Sequence, residues 1–237
     1  MSGRGGIVTL ENETRTWDHA VPEEADPPAD CSILRLSAEL HWEIAKEPLH
    51  HDIDLGKVCG VGPGLVFAAS VLRSLKEKGK KTNTIGLVPC AIGGTSIVEW
   101  EKGTKLYDQM INRTEAALQH GGTLKALLWY QGESDAVTKE LADAYQTRLE
   151  KFFTDVRCDL KAENLPILQV KITGSWSFLE EVRNAQSSVR VPGVYTIDAL
   201  GLALNPDNIH LTTLSETKVG TDLAEKYVND ILGLGRS

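Results

Sequence analysis

The chain has 237 residues, 41% of them hydrophobic and 24% charged, and its 25 Lys and Arg against 33 Asp and Glu leave a formal charge of −8. That length fits one ordinary α/β domain, the composition is that of a folded globular chain, and the acidic balance offers no field for nucleic acid or an anionic membrane surface. No run approaches the ~18 apolar residues that span a bilayer.

The first 60 residues show little periodicity. Glu23 to Asp30 is acidic and proline-rich, which predicts a surface loop or ordered arm outside the core. Ile33 to Pro48 reads either as extended strands of alternating polarity or as a mixed loop. Beyond residue 60, helix-like and strand-like segments alternate. Leu65, Ala68, Ala69, Leu72 and Leu75 form a helical stripe, followed by a short buried strand over Thr84 to Cys90. Leu106 to Gln119 is a weaker helical segment, and Leu124 to Tyr130 a second strand. Leu141, Tyr145, Leu149, Phe152 and Val156 give the clearest helical period. Strands over Pro166 to Ile172 and Gly193 to Asp198 flank a weaker helix at Leu179 to Arg190. Val219, Leu223, Tyr227 and Ile231 mark a last helix. This βα alternation predicts one domain over 1–237, a mostly parallel sheet with helices on both faces and a ligand crevice at the carboxyl ends of the strands. Cys31, Cys59, Cys90 and Cys158 are far apart without a C-x-x-C pair, against a zinc site or disulfide framework. They read as reduced thiols, as in a cytoplasmic protein, and no metal or cofactor is expected.

The residues that could carry chemistry cluster after the strands. His210 is the strongest base candidate, since an imidazole can take a proton from a hydroxyl and pass it to a leaving alcohol. Asp207, three residues earlier, could fix its tautomer. Equally, Asp207 could cap a helix starting near Thr212, with His210 an ordinary surface residue. Gln131 and Glu133 fall where a strand should end: the Gln amide could bind an oxyanion, and Glu133 could orient His210 or order the loop. Alternatively, Gln131 to Asp135 is a polar turn with Ser134 and Asp135 as helix N-caps. Gly60 to Gly64 and Gly93-Gly94-Thr95 are turns whose backbone N–H groups could hold an oxyanion, and neither fits a nucleotide-binding pattern. Gly132-Glu133-Ser134-Asp135-Ala136 nearly fits a nucleophile elbow, which makes Ser134 a candidate.

Five ordered segments, Met1-Ser2-Gly3-Arg4-Gly5-Gly6, Gly60 to Gly64, Ala91-Ile92-Gly93-Gly94-Thr95, Gln131 to Asp135 and Asp207-Asn208-Ile209-His210, resemble the plant probable carbohydrate esterases. These have a sialate O-acetylesterase domain, belong to the SGNH/GDSL superfamily and are related to carbohydrate esterase family six. The resemblance implies an α/β three-layer αβα sandwich, the flavodoxin-like SGNH fold. It also implies a carbohydrate O-acetylesterase working through an acyl-serine, with a small-molecule or polysaccharide acetyl ester as substrate and neither nucleic acid nor membrane as partner. By the same resemblance His210 is the base and Asp207 its orienting acid, with Glu133 as the alternative acid. Gln131 and a glycine of the second block, here Gly62, are oxyanion donors, beside Gly94 and Thr95. The family's nucleophile lies in Gly-Gln-Ser-Asn-Met, whose Met corresponds to Met1. The attacking serine is therefore expected two residues before this chain begins, together with the first central strand, whose omission would leave two strand edges unpaired. On this reading Ser2 does not inherit the role and Ser134 becomes structural. A truncated chain that binds carbohydrate without turnover is the competing expectation.

Overall fold

The computed structural model describes residues 2–11, 13–119 and 121–235, so Met1 lies outside the described residues. In chain order the elements are β1 (Ile7–Thr9), β2 (Arg15–Trp17), β3 (Ser32–Leu36), β4 (Trp42–Ile44), α1 (Pro63–Glu77), β5 (Thr84–Leu87), α2 (Lys105–Leu118), β6 (Leu127–Trp129), α3 (Lys139–Asp159), β7 (Ile167–Lys171), α4 (Leu179–Ser187), β8 (Val194–Asp198) and α5 (Thr213–Lys226). Contacts divide the chain into two compact units, Met1–Gly93 with Ala203–Ser237, and Gly94–Leu202. Each is described by itself.

In the first unit β3 is the central strand, antiparallel to β4 with Leu34 opposite Ile44 and parallel to β5 with Ile33 opposite Ile85. Of the two alternatives for Ile33 to Pro48, the extended one is therefore realised at its start, as a hairpin. α1 begins with Pro63 at its first position, where the missing N–H costs nothing and the fixed φ suits a helix. It buries Leu65, Val66, Ala68, Ala69 and Leu72 with Ile33 and Leu49. Along its other side it packs on α5. The arm at Glu23–Ala25 is a 3-10 turn whose Ala25 is buried in this same cluster, which corrects the expectation that it stays outside the core. The reason is that α1 supplies donors to the arm: Arg73 donates to Glu24 O, and Lys76 Nζ donates to Ala29 O at 2.8 Å. β1 and β2 form a separate small antiparallel hairpin that the sequence did not announce.

The second unit holds the all-parallel order β6-β7-β8. β7 is central and its first four residues are buried, as the middle strand of a covered parallel sheet requires. The polar residue among these four, Gln169, donates from Nε2 to Gln186 O at 2.8 Å and to Thr196 Oγ1 at 3.1 Å. α3 buries Tyr145, Leu149, Phe152, Phe153 and Val156, and Trp129 at the end of β6 stacks on Phe152 with ring centroids 4.4 Å apart. Thr138 caps α3 by accepting Leu141 N–H, so neither Ser134 nor Asp135 is that helix's N-cap. Among the described residues β5 and β6 each pair along one edge only. No helix among them is long and apolar enough to cross a membrane.

Two predictions follow from these units. A Cβ on Gly220 of α5 would lie 2.6 Å from Pro63 O and 2.8 Å from Val66 Cβ, so α5 approaches α1 through a glycine. Alanine would gain about 1 kcal/mol of helix propensity. The overpacking it forces typically costs about 1–3 kcal/mol, and here it meets backbone that has little room to yield. Gly220→Ala is expected to lower the thermal midpoint; a raised midpoint would contradict the close packing.

The second prediction concerns Glu47, whose Oε2 accepts Leu49 N–H at 3.0 Å while Oε1 is buried. Burial lifts this carboxyl to about 7, against the opposing pull of the Leu49 and Gly62 N–H groups. Folded protein therefore holds a proton there that the unfolded chain has lost, and this residue's contribution to stability falls as pH rises toward and through 7. His50, lowered to about 3 chiefly by desolvation, acts in the opposite sense below the ordinary imidazole range, so the clean observable is a variant difference. The stability of Glu47→Gln relative to the parent is expected to rise between pH 5 and pH 8 by about 1–3 kcal/mol in denaturant titrations. A difference constant with pH would refute it.

Candidate active site

In the first unit the segment from Leu204 to Thr212 is a closed loop. A bridge joins Leu204 to Leu211, Asn205 N–H donates to His210 O at 2.7 Å, and Thr212 N–H donates to Ala203 O at 3.1 Å. Asn208 takes a left-handed backbone, φ +57°, which Asn tolerates better than most residues. That reversal folds the Asp207 carboxylate back over its own loop. Oδ1 accepts the backbone N–H of Ile209 and of His210, each at 3.0 Å. The His210 Nδ1–H donates to Oδ2 at 2.7 Å. An ionised carboxylate only accepts, so this bond puts the ring proton on Nδ1 and leaves Nε2 as the basic nitrogen. Partial burial pushes the Asp207 carboxyl up, but the His210 ring and the two N–H groups outweigh it and hold it below its usual range. Both side chains are about one-third exposed. Helix α5 is capped by Thr212, which accepts Ser215 N–H, so Asp207 serves its loop and not the helix.

The Ser2 to Gly6 segment lies against the glycine turn at 60–62. Gly60 N–H donates to Gly3 O at 3.1 Å, Gly5 N–H to Val61 O at 3.0 Å, and Val61 N–H to Gly5 O at 2.9 Å. Gly3 sits at φ +82°, and a Cβ there would fall 2.8 Å from Gly60 O and Gly62 N, so only glycine permits this approach. Beneath it, Asp54 gathers three donors on one oxygen: Ser2 Oγ at 2.7 Å, Arg4 Nη2 at 2.6 Å and Gly93 N–H at 3.1 Å. Burial raises the Asp54 carboxyl, but the bonds from Ser2, Arg4 and Gly93 and the Arg4 charge outweigh it and keep it lowered. Arg4 Nη1 also donates to Val58 O at 2.9 Å. The Asn205 amide joins this segment to the His210 loop, donating from Nδ2 to Arg4 O and to Leu211 O, each at 3.2 Å. Sequence reasoning missed Asp54 and Glu47. The signal available was the density of titratable residues in His50-His51-Asp52-Ile53-Asp54, within a stretch lacking periodicity. Gly62 is the N-cap of α1, and its N–H faces the Glu47 carboxyl.

In the second unit Gly94 is exposed with φ +75°, and Thr95 follows it. Gln131 is buried just past β6. Its Nε2 donates to Thr95 O at 3.0 Å and to Asp135 Oδ2 at 2.6 Å, while Oε1 accepts the Tyr145 hydroxyl at 3.1 Å. Reversing the amide would set its oxygen against both Thr95 O and the Asp135 carboxylate, so the network fixes its orientation. Asp135, fully buried, accepts Ile97 N–H as well. Burial raises it to about 6, against the Gln131 and Ile97 bonds. Glu133 and Ser134 are half-buried. Ser134 starts a 3-10 turn at Ser134–Ala136, and α3 begins only at Lys139. The positive φ of this turn, +136°, belongs to Gly132. The strand-to-helix elbow suggested by the spacing is thus not formed: the sharp reversal falls on the glycine, and the serine lies inside a regular turn.

The structure therefore brings Asp207 and His210 together in one unit and Gln131 and Thr95 together in the other. A family model described as SASA, carbohydrate esterase, sialic acid-specific acetylesterase, matches residues 1–229. The chain is 46% identical over 231 residues to the probable carbohydrate esterase At4g34215 of Arabidopsis thaliana, covering 97% of this chain and 87% of that protein. It is similar to the X-ray structure of the Arabidopsis At4g34215 protein with a TM-score of 0.91 at 45% identity, covering 97% of this chain and 94% of that one. The fold also resembles that of XAC1771, a carbohydrate acetylesterase from Xanthomonas citri, with a TM-score of 0.61 at 19% identity over 89% of this chain and 51% of that one. With its mixed α/β fold and a match over nearly its whole length, the chain belongs to the sialic acid-specific acetylesterase family of carbohydrate esterases.

Proposed function

We propose that this chain carries the acid–base half of a carbohydrate O-acetylesterase that works through an acyl-serine. The observation that supports it is the 2.7 Å bond from His210 Nδ1–H to Asp207 Oδ2, held by a loop that spends two further backbone N–H groups on the same carboxylate. In the reaction the His210 Nε2 takes the proton of a serine hydroxyl as its oxygen attacks the acetyl carbonyl. The protonated ring then gives that proton to the departing sugar oxygen. Water, deprotonated by the same nitrogen, releases acetate from the acyl-serine. Asp207 holds the ring and stabilises the imidazolium without being protonated itself.

The oxyanion donors rest on resemblance. Gln131 already spends both amide N–H groups on Thr95 O and Asp135 Oδ2, and the Gly62 N–H faces Glu47, so either would exchange a present acceptor for the substrate oxygen. Gly94 and Thr95 stay in the assignment as neighbouring turn residues, and Glu133 as the alternative acid. The nucleophile belongs to the Gly-Gln-Ser-Asn-Met motif, of which residues 1–237 hold only the Met. Ser134 is not the nucleophile.

Residues 1–237 are compared with the same chain preceded by a family strand ending in Gly-Gln-Ser-Asn, assayed on 4-nitrophenyl acetate and an acetylated sugar. Hydrolysis is expected only in the extended form, since a missing triad serine costs about 10⁶ in rate. His210→Ala should remove it, while Ser134→Ala should leave it nearly unchanged. Robust hydrolysis by residues 1–237, lost in Ser134→Ala, would overturn the assignment. In the extended form Asp207→Asn is expected to lower kcat/KM about 10²–10⁴-fold, because an amide can offer the ring the wrong partner. Asn keeps an oxygen for the Ile209 and His210 N–H groups, so the thermal midpoint should move little; unchanged kinetics would point to a different orienting acid.

A further inference from the structure

Two segments of the first unit converge on Asp54, which is 3% exposed. Ser2 and Arg4 reach it from the segment that resembles the end of the family's nucleophile motif, and Gly93 reaches it from the Ala91 to Thr95 turn. All three donate to the same atom, Oδ2. A second observation points to the same place. A Cβ on Gly93 would lie 2.5 Å from Arg4 Nη2, 3.1 Å from Asp54 Oδ2 and 3.3 Å from Ser2 Oγ. The glycine therefore leaves the space that the ion pair and the serine occupy. Arg4 also has a second connection, because its carbonyl accepts the Asn205 amide. Asn205 in turn donates its backbone N–H to His210 O at 2.7 Å. A continuous path of side chain and backbone thus runs from Asp54 through Arg4 and Asn205 to the base.

We propose that Asp54 is a positioning residue of the esterase site, fixing the segment that follows the nucleophile against the glycine turn at 60–62 and against the loop that carries His210. The inference rests on the esterase reading for its catalytic consequence, and on the contacts alone for its structural one. Asp54 touches no reacting atom. Its work is to hold one charge where Arg4 can be buried without being left unpaired, so that the Gly3 and Gly5 backbone stays in register with Gly60 and Val61.

The test has two arms. In residues 1–237, Asp54→Asn is expected to speed amide hydrogen exchange at Gly5, Gly60, Val61 and Gly93 by about tenfold or more, with protection in α1 and α3 retained, because a local tie is lost while the packed helices are not. Ser2→Ala removes one donor without stranding a charge and should give a smaller change at the same amides, which keeps the test open if Asp54→Asn does not fold. Unchanged exchange at those four amides in a folded variant, or acceleration spread evenly over both units, would overturn the proposal. In the form preceded by Gly-Gln-Ser-Asn, Asp54→Asn is expected to lower kcat about 10²-fold with KM within about twofold and the pH midpoint of the rate unmoved, as for a misplaced reacting group. A change confined to KM, or a shifted pH midpoint, would count against positioning. Failure of the esterase reading itself would show differently, as no His210-dependent hydrolysis in the unsubstituted protein, with the exchange result intact.

Discussion

Arg4 and Asp54 meet at 2.6 Å although they are 50 residues apart in sequence, and both side chains are almost wholly buried. Taking two charges out of water is costly, and the pair persists only because its remaining hydrogen-bonding capacity is met: Arg4 finds Val58 O, and Asp54 finds Ser2 and Gly93. Removing one partner of such a pair typically costs about 3–5 kcal/mol, since the other is left buried and charged. The consequence is geometric. A short segment lacking a strand ladder is held in one place, and the glycines at 3, 5, 60 and 62 can then approach backbone to backbone. From that fixed segment the Asn205 amide carries the constraint to the loop of Asp207 and His210.

The carboxyl groups divide by what surrounds them. Asp54 and Asp207 are both held below the ordinary carboxyl range, although burial alone would raise them, because each has several donors and a cationic or imidazole partner. Glu47 and Asp135 receive hydrogen bonds too, yet burial lifts them to about 7 and about 6. Where donors are few and burial is deep, desolvation wins; where several donors or a paired cation meet a less deeply buried carboxylate, they reverse the balance. Asp135 therefore reads as a structural acceptor, tying Ile97 and Gln131 within the second unit.

Much of the fold was legible, and the reason lies in periodicity. The stripe Leu141, Tyr145, Leu149, Phe152, Val156 anticipated α3, and the apolar run at 166–172 anticipated β7, because a buried face repeats at the period of its element. Segments whose order comes from polar contacts left no such trace. The three-residue strands β1 and β2 are too short to show a period, and Ala25 enters the core in an arm to which α1 supplies donors. In the candidate site, the three-residue spacing of Asp207 and His210 was readable because both lie in one turn. Asp54 was not, since its partners at 2, 4 and 93 are joined to it only in space. Ser134 shows the opposite error: the spacing of an elbow was present, but the sharp reversal belongs to Gly132.

The assignment of the attacking atom is where this account is most exposed, and covalent trapping reaches it directly. A fluorophosphonate phosphonylates an activated serine, whose oxygen, the same one that would attack an ester, displaces fluoride from phosphorus, and digestion with mass spectrometry locates the adduct. Residues 1–237 are predicted to take up no stoichiometric label. The form preceded by Gly-Gln-Ser-Asn is predicted to be labelled at that serine, and to lose the label in His210→Ala. Stoichiometric, His210-dependent labelling of Ser134 in residues 1–237 would contradict the account.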